Sequence, residues 1–438
     1  MSDRRPNWPI DPRRWPFFYG WVIVVVGALG VLASMPGQTV GVGVFTGPLC
    51  EALGVSRLQL SIAYLIGTGL SGFFLGYGGK LYDRWGARRT FVLSVVGLGL
   101  VCLGFAGLGE LAGWLREAGV LVALAVVTLA FLAIRFTGQG MTTMVSRSMI
   151  AKWFDKRRGL AIAFSGTGAT FGLSAAPKTF QSLIDQVGWQ GAYVLIGLVL
   201  IGVFGLMGWL FFRDNPEECG LQVDGGWQPR RVQKENLDRV IHRDFTGPEA
   251  RRTYSFWMFS TVLGLNGLIG TAYAFHVEDI GVDVGMSKDV ITALFIPAAG
   301  VAVATGFFVS WISDHCRLKY LLALQSLALA GFCLALIAPS LALTKAGIIL
   351  GMGIANGCFG GLSSIVWARF YGRRYLGEVT GLFMMLIVWA SAVGPLPFSI
   401  ARDFSGHYAP AFVIGGVASL ILTVLCFWAD NPQRSKRV

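Results

Sequence analysis

Pro177-Lys178-Thr179-Phe180-Gln181-Ser182-Leu183-Ile184-Asp185-Gln186-Val187-Gly188 returns 218 residues later as Pro395-Leu396-Pro397-Phe398-Ser399-Ile400-Ala401-Arg402-Asp403-Phe404-Ser405-Gly406, with Pro, Phe, Asp and Gly in register. A pair of arginines precedes each copy, Arg157-Arg158 and Arg373-Arg374. A third echo closes each half: Phe211-Phe212-Arg213-Asp214-Asn215-Pro216 against Phe427-Trp428-Ala429-Asp430-Asn431-Pro432. All three pairs keep one order, at an offset of 216 to 218. The surroundings are strongly apolar. A chain that repeats itself once in such surroundings reads as one duplicated membrane unit, the build of many membrane transport proteins.

Composition points the same way. Hydrophobic residues make up 54% of the 438 residues and charged ones 14%, and the mean hydropathy is +0.62. A water-soluble chain of this length needs more polar surface. Apolar runs of the roughly 20 residues that cross a bilayer can be placed twelve times: 17–47, 57–80, 90–110, 118–147, 158–184, 190–212, 253–277, 290–313, 319–338, 343–367, 377–400 and 409–428. The expected fold is all-α, with twelve transmembrane helices in two pseudo-symmetric six-helix bundles. The bundles fall at 17–212 and 253–428, with tails at 1–16 and 429–438 and a polar linker at 213–252.

The net charge of +12 calls for no nucleic acid, because the charge is dispersed among loops. When loops are assigned alternately to two sides, 29 of the 36 Lys and Arg fall with the termini and 5 on the other side. That asymmetry places both termini in the cytoplasm, in a bacterial inner membrane. Seven scattered cysteines form neither a disulfide framework nor a metal cluster. No cleavage pattern precedes the first apolar run, which stays as helix 1. The chain is expected to act as a monomer in the lipid bilayer, without cofactor or metal.

Three runs carry polar stripes at helical spacing: Ser61, Tyr64, Thr68 and Ser71; Arg135, Gln139, Thr142 and Ser146; and Ser174, Lys178, Gln181 and Asp185. Runs 3, 6 and 12 carry none, and run 9 has only Gln325 and Ser326. Stripes face a wet cavity or a neighbouring helix, and uniformly apolar helices face lipid. Gly67-x-Gly69-x-x-Gly72 imitates a dinucleotide fingerprint, but it lies inside an apolar helix with no strand before it, so it reads as helix packing.

Between runs 2 and 3 stands Gly79-Lys80-Leu81-Tyr82-Asp83-Arg84-Trp85-Gly86-Ala87-Arg88-Arg89, and a decayed copy, Ser310-x3-Asp314-His315-x-Arg317-x-Lys319, occupies the matching place in the second half. The first segment resembles the loop signature G-x3-D-R-x-G-x-R-R of the major facilitator superfamily, and the likeness extends over about 17–428. It implies two bundles rocking about a midplane site. Asp83, Arg84 and Arg88, with Asp314 in the second copy, would form the cytoplasmic gate and latch it in the outward-open state.

A narrower likeness starts at Trp153-Phe154-Asp155-Lys156-Arg157-Arg158-Gly159-Leu160-Ala161 and continues to Gly168-x3-Gly172. Together with Phe18-Tyr19-Gly20-Trp21 and Asn215-Pro216-Glu217-x-x-Gly220, it is similar to the monocarboxylate porters and their oxalate/formate-exchanger relatives. Small carboxylates, often carried with a proton, are the substrates implied. The chain departs from that pattern in helix 8, where no charge stands between Asp289 and Asp314, and in helix 11, where Glu378 is the one charge. The family's carboxylate site therefore does not carry over.

Arg135 and Lys178 take its place as candidates. Burying an arginine at a helix centre costs about 2.5–3.5 kcal/mol, so its presence calls for a function. Arg135-Phe136-Thr137-Gly138-Gln139-Gly140 also resembles the helix-4 arginine motif R-x-x-Q-G of proton-coupled antiporters, with the glutamine displaced by one. Two cations without a buried carboxylate favour an anion. Gln139 and Tyr64 from the first half, and Asn266, Tyr273, Asn356 and Trp389 from the second, complete the candidate substrate site. The first expectation is secondary transport of a mono- or dicarboxylate. The alternatives are proton-coupled efflux of amphipathic drugs and a membrane sensor without flux. No nucleophile–base set or phosphate loop points to an enzyme. Proton coupling stays open. His276, Glu278, Asp279 and Asp185 read as rim residues, and the substrate's own carboxylate is another proton carrier.

Overall fold

The computed structural model describes residues 7–227 and 241–433. Parts of both tails and of the linker, and the side chain of Lys178, lie outside the described residues. Among those described, every regular element is helical. The principal helices are α1 (Gly20–Ala33), α2 (Thr39–Leu53), α3 (Arg57–Ala118), α4 (Val120–Trp153), α5 (Arg158–Val199) and α6 (Gly205–Phe211). The second half supplies α7 (Tyr254–Asp283), α8 (Phe295–Ile312), α9 (Leu318–Ala335), α10 (Leu341–Tyr371), α11 (Leu376–Val393), α12 (Pro395–Ser405) and α13 (Ala409–Leu425).

Nine helices among the described residues are long and apolar enough to cross a bilayer, and the segments Gly20–Ala33 and Gly41–Leu53 are shorter apolar helices. The difference from the twelve apolar runs of the sequence has a local cause. Runs 2 and 3 join into α3, broken only at Gly86 (φ 78°), and runs 5 and 6 join through α5, broken at Gly188 (φ 72°). A left-handed residue without a Cβ reverses the chain so tightly that helical bonding resumes at once. Run 1 does the opposite. A short 3₁₀ turn, Met35–Gly37, splits it into α1 and α2, because Pro36 supplies no N–H to the ladder.

The helix ends carry the expected devices. Gly54 in a left-handed conformation stops α2. Ser56 and Gln59 then form a reciprocal capping box that starts α3. Arg116, at the far end of α3, donates to the carbonyls of Glu51 and Ala52 at 2.5 and 3.0 Å, a cation on the negative end of α2. Ahead of α1, Asp11 caps a turn through Arg13. The hydrogen bond from that guanidinium holds the Asp11 carboxyl down at about 2.

Two compact units result. The first comprises Met1–Asp155, Gly168–Trp227 and Thr380–Met385, and the second Lys156–Thr167, Gln228–Val379 and Leu386–Val438. In the first, Phe45, Tyr193 and Phe105 stack at 4.0 and 5.1 Å. In the second, Ile269, Tyr273, Phe332, Phe398 and Phe412 anchor an apolar core.

Candidate substrate site

Arg135 opens a π-helical segment, Arg135–Thr142, inside α4. Such segments interrupt the regular ladder and recur at functional positions. Close approach of backbones surrounds it. A Cβ on Gly37 would fall 2.5 Å from the Ile134 carbonyl oxygen and 2.7 Å from Gly138 Cα, so the α1–α2 break lies directly on α4. Only paired glycines permit that contact. Because the 3₁₀ turn ends at Gly37, its carbonyl is left for a side chain to use.

Arg135 uses it. The residue is 3% exposed. Nη1 donates to the Gly37 carbonyl at 3.0 Å and to Thr39 Oγ1 at 3.2 Å. The guanidinium carbon lies 5.4 Å from the centre of the Tyr64 ring, and the Tyr64 hydroxyl donates to Thr39 Oγ1 at 3.1 Å. Arg135 Nε and, one turn on, Gln139 Oε1 are buried with no hydrogen-bond partner. Among the described residues no carboxylate pairs with Arg135. A buried cation held by one carbonyl, one hydroxyl and one ring face remains uncompensated. The site can therefore receive an anion.

Gly37→Ala tests this packing. The added methyl meets backbone on both sides, so the α1–α2 break must move and Arg135 loses its carbonyl. The expected result is at least a tenfold fall in uptake by protein that still inserts, with a lowered thermal midpoint. An unchanged midpoint would contradict the contact.

In the second unit, Asn266 Nδ2 of α7 donates to Asn356 Oδ1 of α10 at 3.1 Å. The bond uses one of the two N–H donors of Asn266 and one lone pair of Asn356 Oδ1, so both amides keep donors and acceptors for a further partner. Tyr273, two turns along α7, does not join it. Its ring is fully buried against Phe295 and Phe332, at centroid distances of 5.5 and 5.1 Å, and its hydroxyl has no partner. Its apolar neighbours account for the placement of the ring. Trp389 is 37% exposed on α11.

The expected gate residues divide. Arg88 donates from Nε to the Phe212 carbonyl at 3.1 Å and from Nη1 to the Trp8 carbonyl at 2.8 Å, tying ends of its own unit. Asp83 is half-buried and Arg84 exposed. Asp314 accepts from Arg369 Nη2 at 2.8 Å. The organising residue is one the sequence showed only as a repeat echo. Asp214 Oδ1 accepts from the Ala87 N–H at 3.1 Å, at the helical restart after Gly86, and both its oxygens lie 3.1 Å from Lys152 Nζ. Its echo Asp430 takes Lys319 instead, at 2.8 Å.

Apolar helices around a buried, uncompensated cation define a multi-pass integral membrane protein of the transporter class. The chain belongs to the Major Facilitator Superfamily, which it matches over residues 27–395 and 266–438. It is 22% identical over 415 residues to the oxalate:formate antiporter of Oxalobacter formigenes, covering 92% of this chain and 90% of that one. It is 24% identical over 440 residues to monocarboxylate transporter 11 of Mus musculus, covering 95% and 88%. Among solved structures it resembles the proton:xylose symporter XylE, with a TM-score of 0.65, 14% identity and coverage of 93% and 95%. The relatives are transporters, not enzymes.

Proposed function

We propose that this chain moves a small organic anion, a mono- or dicarboxylate, across the bacterial inner membrane by alternating access, with both termini cytoplasmic. The observation that carries the reading is Arg135, a cation 3% exposed and without a carboxylate partner. Gln139 and Tyr64 would share the anion with it, and Lys178 would add a second cation. Asn266 and Asn356 would supply amide hydrogen bonds to the substrate, as Trp389 would supply apolar surface. Asp83, Arg84, Arg88 and Asp314 would act as the gate. Relatives named for oxalate, formate and monocarboxylates support the substrate class.

Counterflow of labelled oxalate, formate and lactate in proteoliposomes tests it, beside efflux of amphipathic dyes. Carboxylate exchange above empty vesicles is the expected outcome. Dye efflux alone would favour the antiporter reading, to which the helix-4 motif belongs. Asn266→Ala and Asn356→Ala are each expected to weaken half-saturation about tenfold, the worth of one good neutral hydrogen bond. A double variant no worse than either single one would show that the two act as a unit. Unaltered half-saturation in both would remove them from the site.

A further inference from the structure

The far end of α7 gathers titratable groups that the proposed anion site does not use. The helix begins beside the C-terminal segment, where Ser255 Oγ donates to the Asp430 carbonyl, and it ends at Asp283. In its last two turns His276 Nε2 lies 3.2 Å from the Pro395 carbonyl. A carbonyl only accepts, so Nε2 carries the hydrogen. Nδ1 lies 3.1 Å from the Tyr408 hydroxyl, which in turn lies 3.4 Å from Asp279 Oδ2.

The groups around this chain come from α7, from α12 and from the turn ahead of α13. Asp279 and Asp283 belong to α7, and Asp283 accepts the Tyr408 backbone N–H at 2.9 Å. From α12, Ser399 Oγ lies 3.3 Å from Nε2 and donates to the Pro395 carbonyl at 3.1 Å. Arg402, also on α12, places its guanidinium carbon 5.0 Å from the centre of the Tyr408 ring. Asp403 and His407 are exposed on the same turn. The side chain of Glu278 lies outside the described residues.

The chain has two states. With the imidazole neutral, Tyr408 donates its hydroxyl hydrogen to Nδ1. When Nδ1 takes a proton from water, the N–H becomes the donor and the hydroxyl turns to give its hydrogen to Asp279. One N–H bond forms, and the new charge is linked through the phenol to a carboxylate. Helix geometry makes this consequential. Between α11 and α12, a Cβ on Gly394 would collide with the Leu268 carbonyl oxygen, so the backbone just ahead of Pro395 rests directly on α7.

We infer that His276 is a proton-binding site whose occupancy ties the start of α12 to α7. This deepens the proposed function, on which its transport consequence rests, by naming the group through which pH acts. Protonation strengthens the tie, and exchange slows as pH falls.

The chain has four histidines, so ¹³Cε1-histidine labelling of the full protein in nanodiscs gives a countable spectrum. The resonance missing from His276→Gln identifies the site. That resonance is expected to move as the pH is lowered from 8 to 5.5. Asp279→Asn and Tyr408→Phe, which break the link to the carboxylate, are each expected to alter that movement. Oxalate counterflow by the unaltered protein is expected to fall at least about fivefold from pH 8 to 5.5, and that of His276→Gln to stay within about twofold. A resonance that stays still over this range, the same movement in both variants, or a wild-type profile in His276→Gln would overturn the inference. If no carboxylate exchanges at any pH, the substrate reading fails, while the titration still decides the proton site.

Discussion

Arg135→Ala is expected to abolish carboxylate exchange in proteoliposomes, in protein that inserts in normal amount and keeps its thermal midpoint. Removing one partner of a buried charge pair costs about 2–5 kcal/mol, which weakens anion binding by roughly 30-fold to several thousand-fold. The folded protein loses little by the change. The arginine's own bonds are to one carbonyl and one hydroxyl, and its buried Nε has no partner to lose. Arg135→Lys keeps the charge and gives up the planar fork, so an intermediate loss is expected. A residue that only braces the α1–α2 break would behave in the reverse manner, with a lowered midpoint and an unaltered half-saturation. Wild-type exchange by Arg135→Ala would remove the anion assignment.

Asp214→Ala should instead act on folding. It strips the acceptor from the Ala87 N–H at the restart of α3, and it takes the carboxylate from Lys152, whose side chain is 6% exposed. Breaking a buried ion pair on one side costs about 3–5 kcal/mol, a fall on the order of 10 °C in thermal midpoint. Asp214→Asn keeps an acceptor for the N–H and should lose less. Asp430→Ala supplies the contrast. Its carboxylate is 44% exposed against 16% for Asp214, and Lys319 keeps the Phe427 carbonyl, so a smaller loss is expected. Thermal unfolding of the purified variants in one detergent checks the ranking. Equal losses at Asp214 and Asp430 would show that burial is not what separates them.

Arg135 and Asn266 were legible as candidates because a polar side chain in an apolar run is costly wherever it falls. Tyr64 and Asn356, which meet them, were legible too, but the groups to which Arg135 donates were not. Thr39 and the Gly37 carbonyl reach Arg135 only because Pro36 interrupts run 1 and two glycines let its backbone meet α4. Tyr273 shows the same limit. In sequence it stands two turns from Asn266 on one helix, yet its ring meets Phe295 and Phe332 from other segments. Helical spacing places a residue on a face but does not say what packs against that face.

Sequence alone determined the helical membrane class, the duplication and the segregation of charge, since each follows from composition and periodicity along the chain. It also marked Asp214 and Asp430 as equivalent. Only the tertiary structure decided that Asp214 closes on Lys152 and the start of α3 while Asp430 takes Lys319, and that Arg369 turns to Asp314. Ion pairing depends on which charged ends meet across helices, a distance in space that no offset along the chain contains.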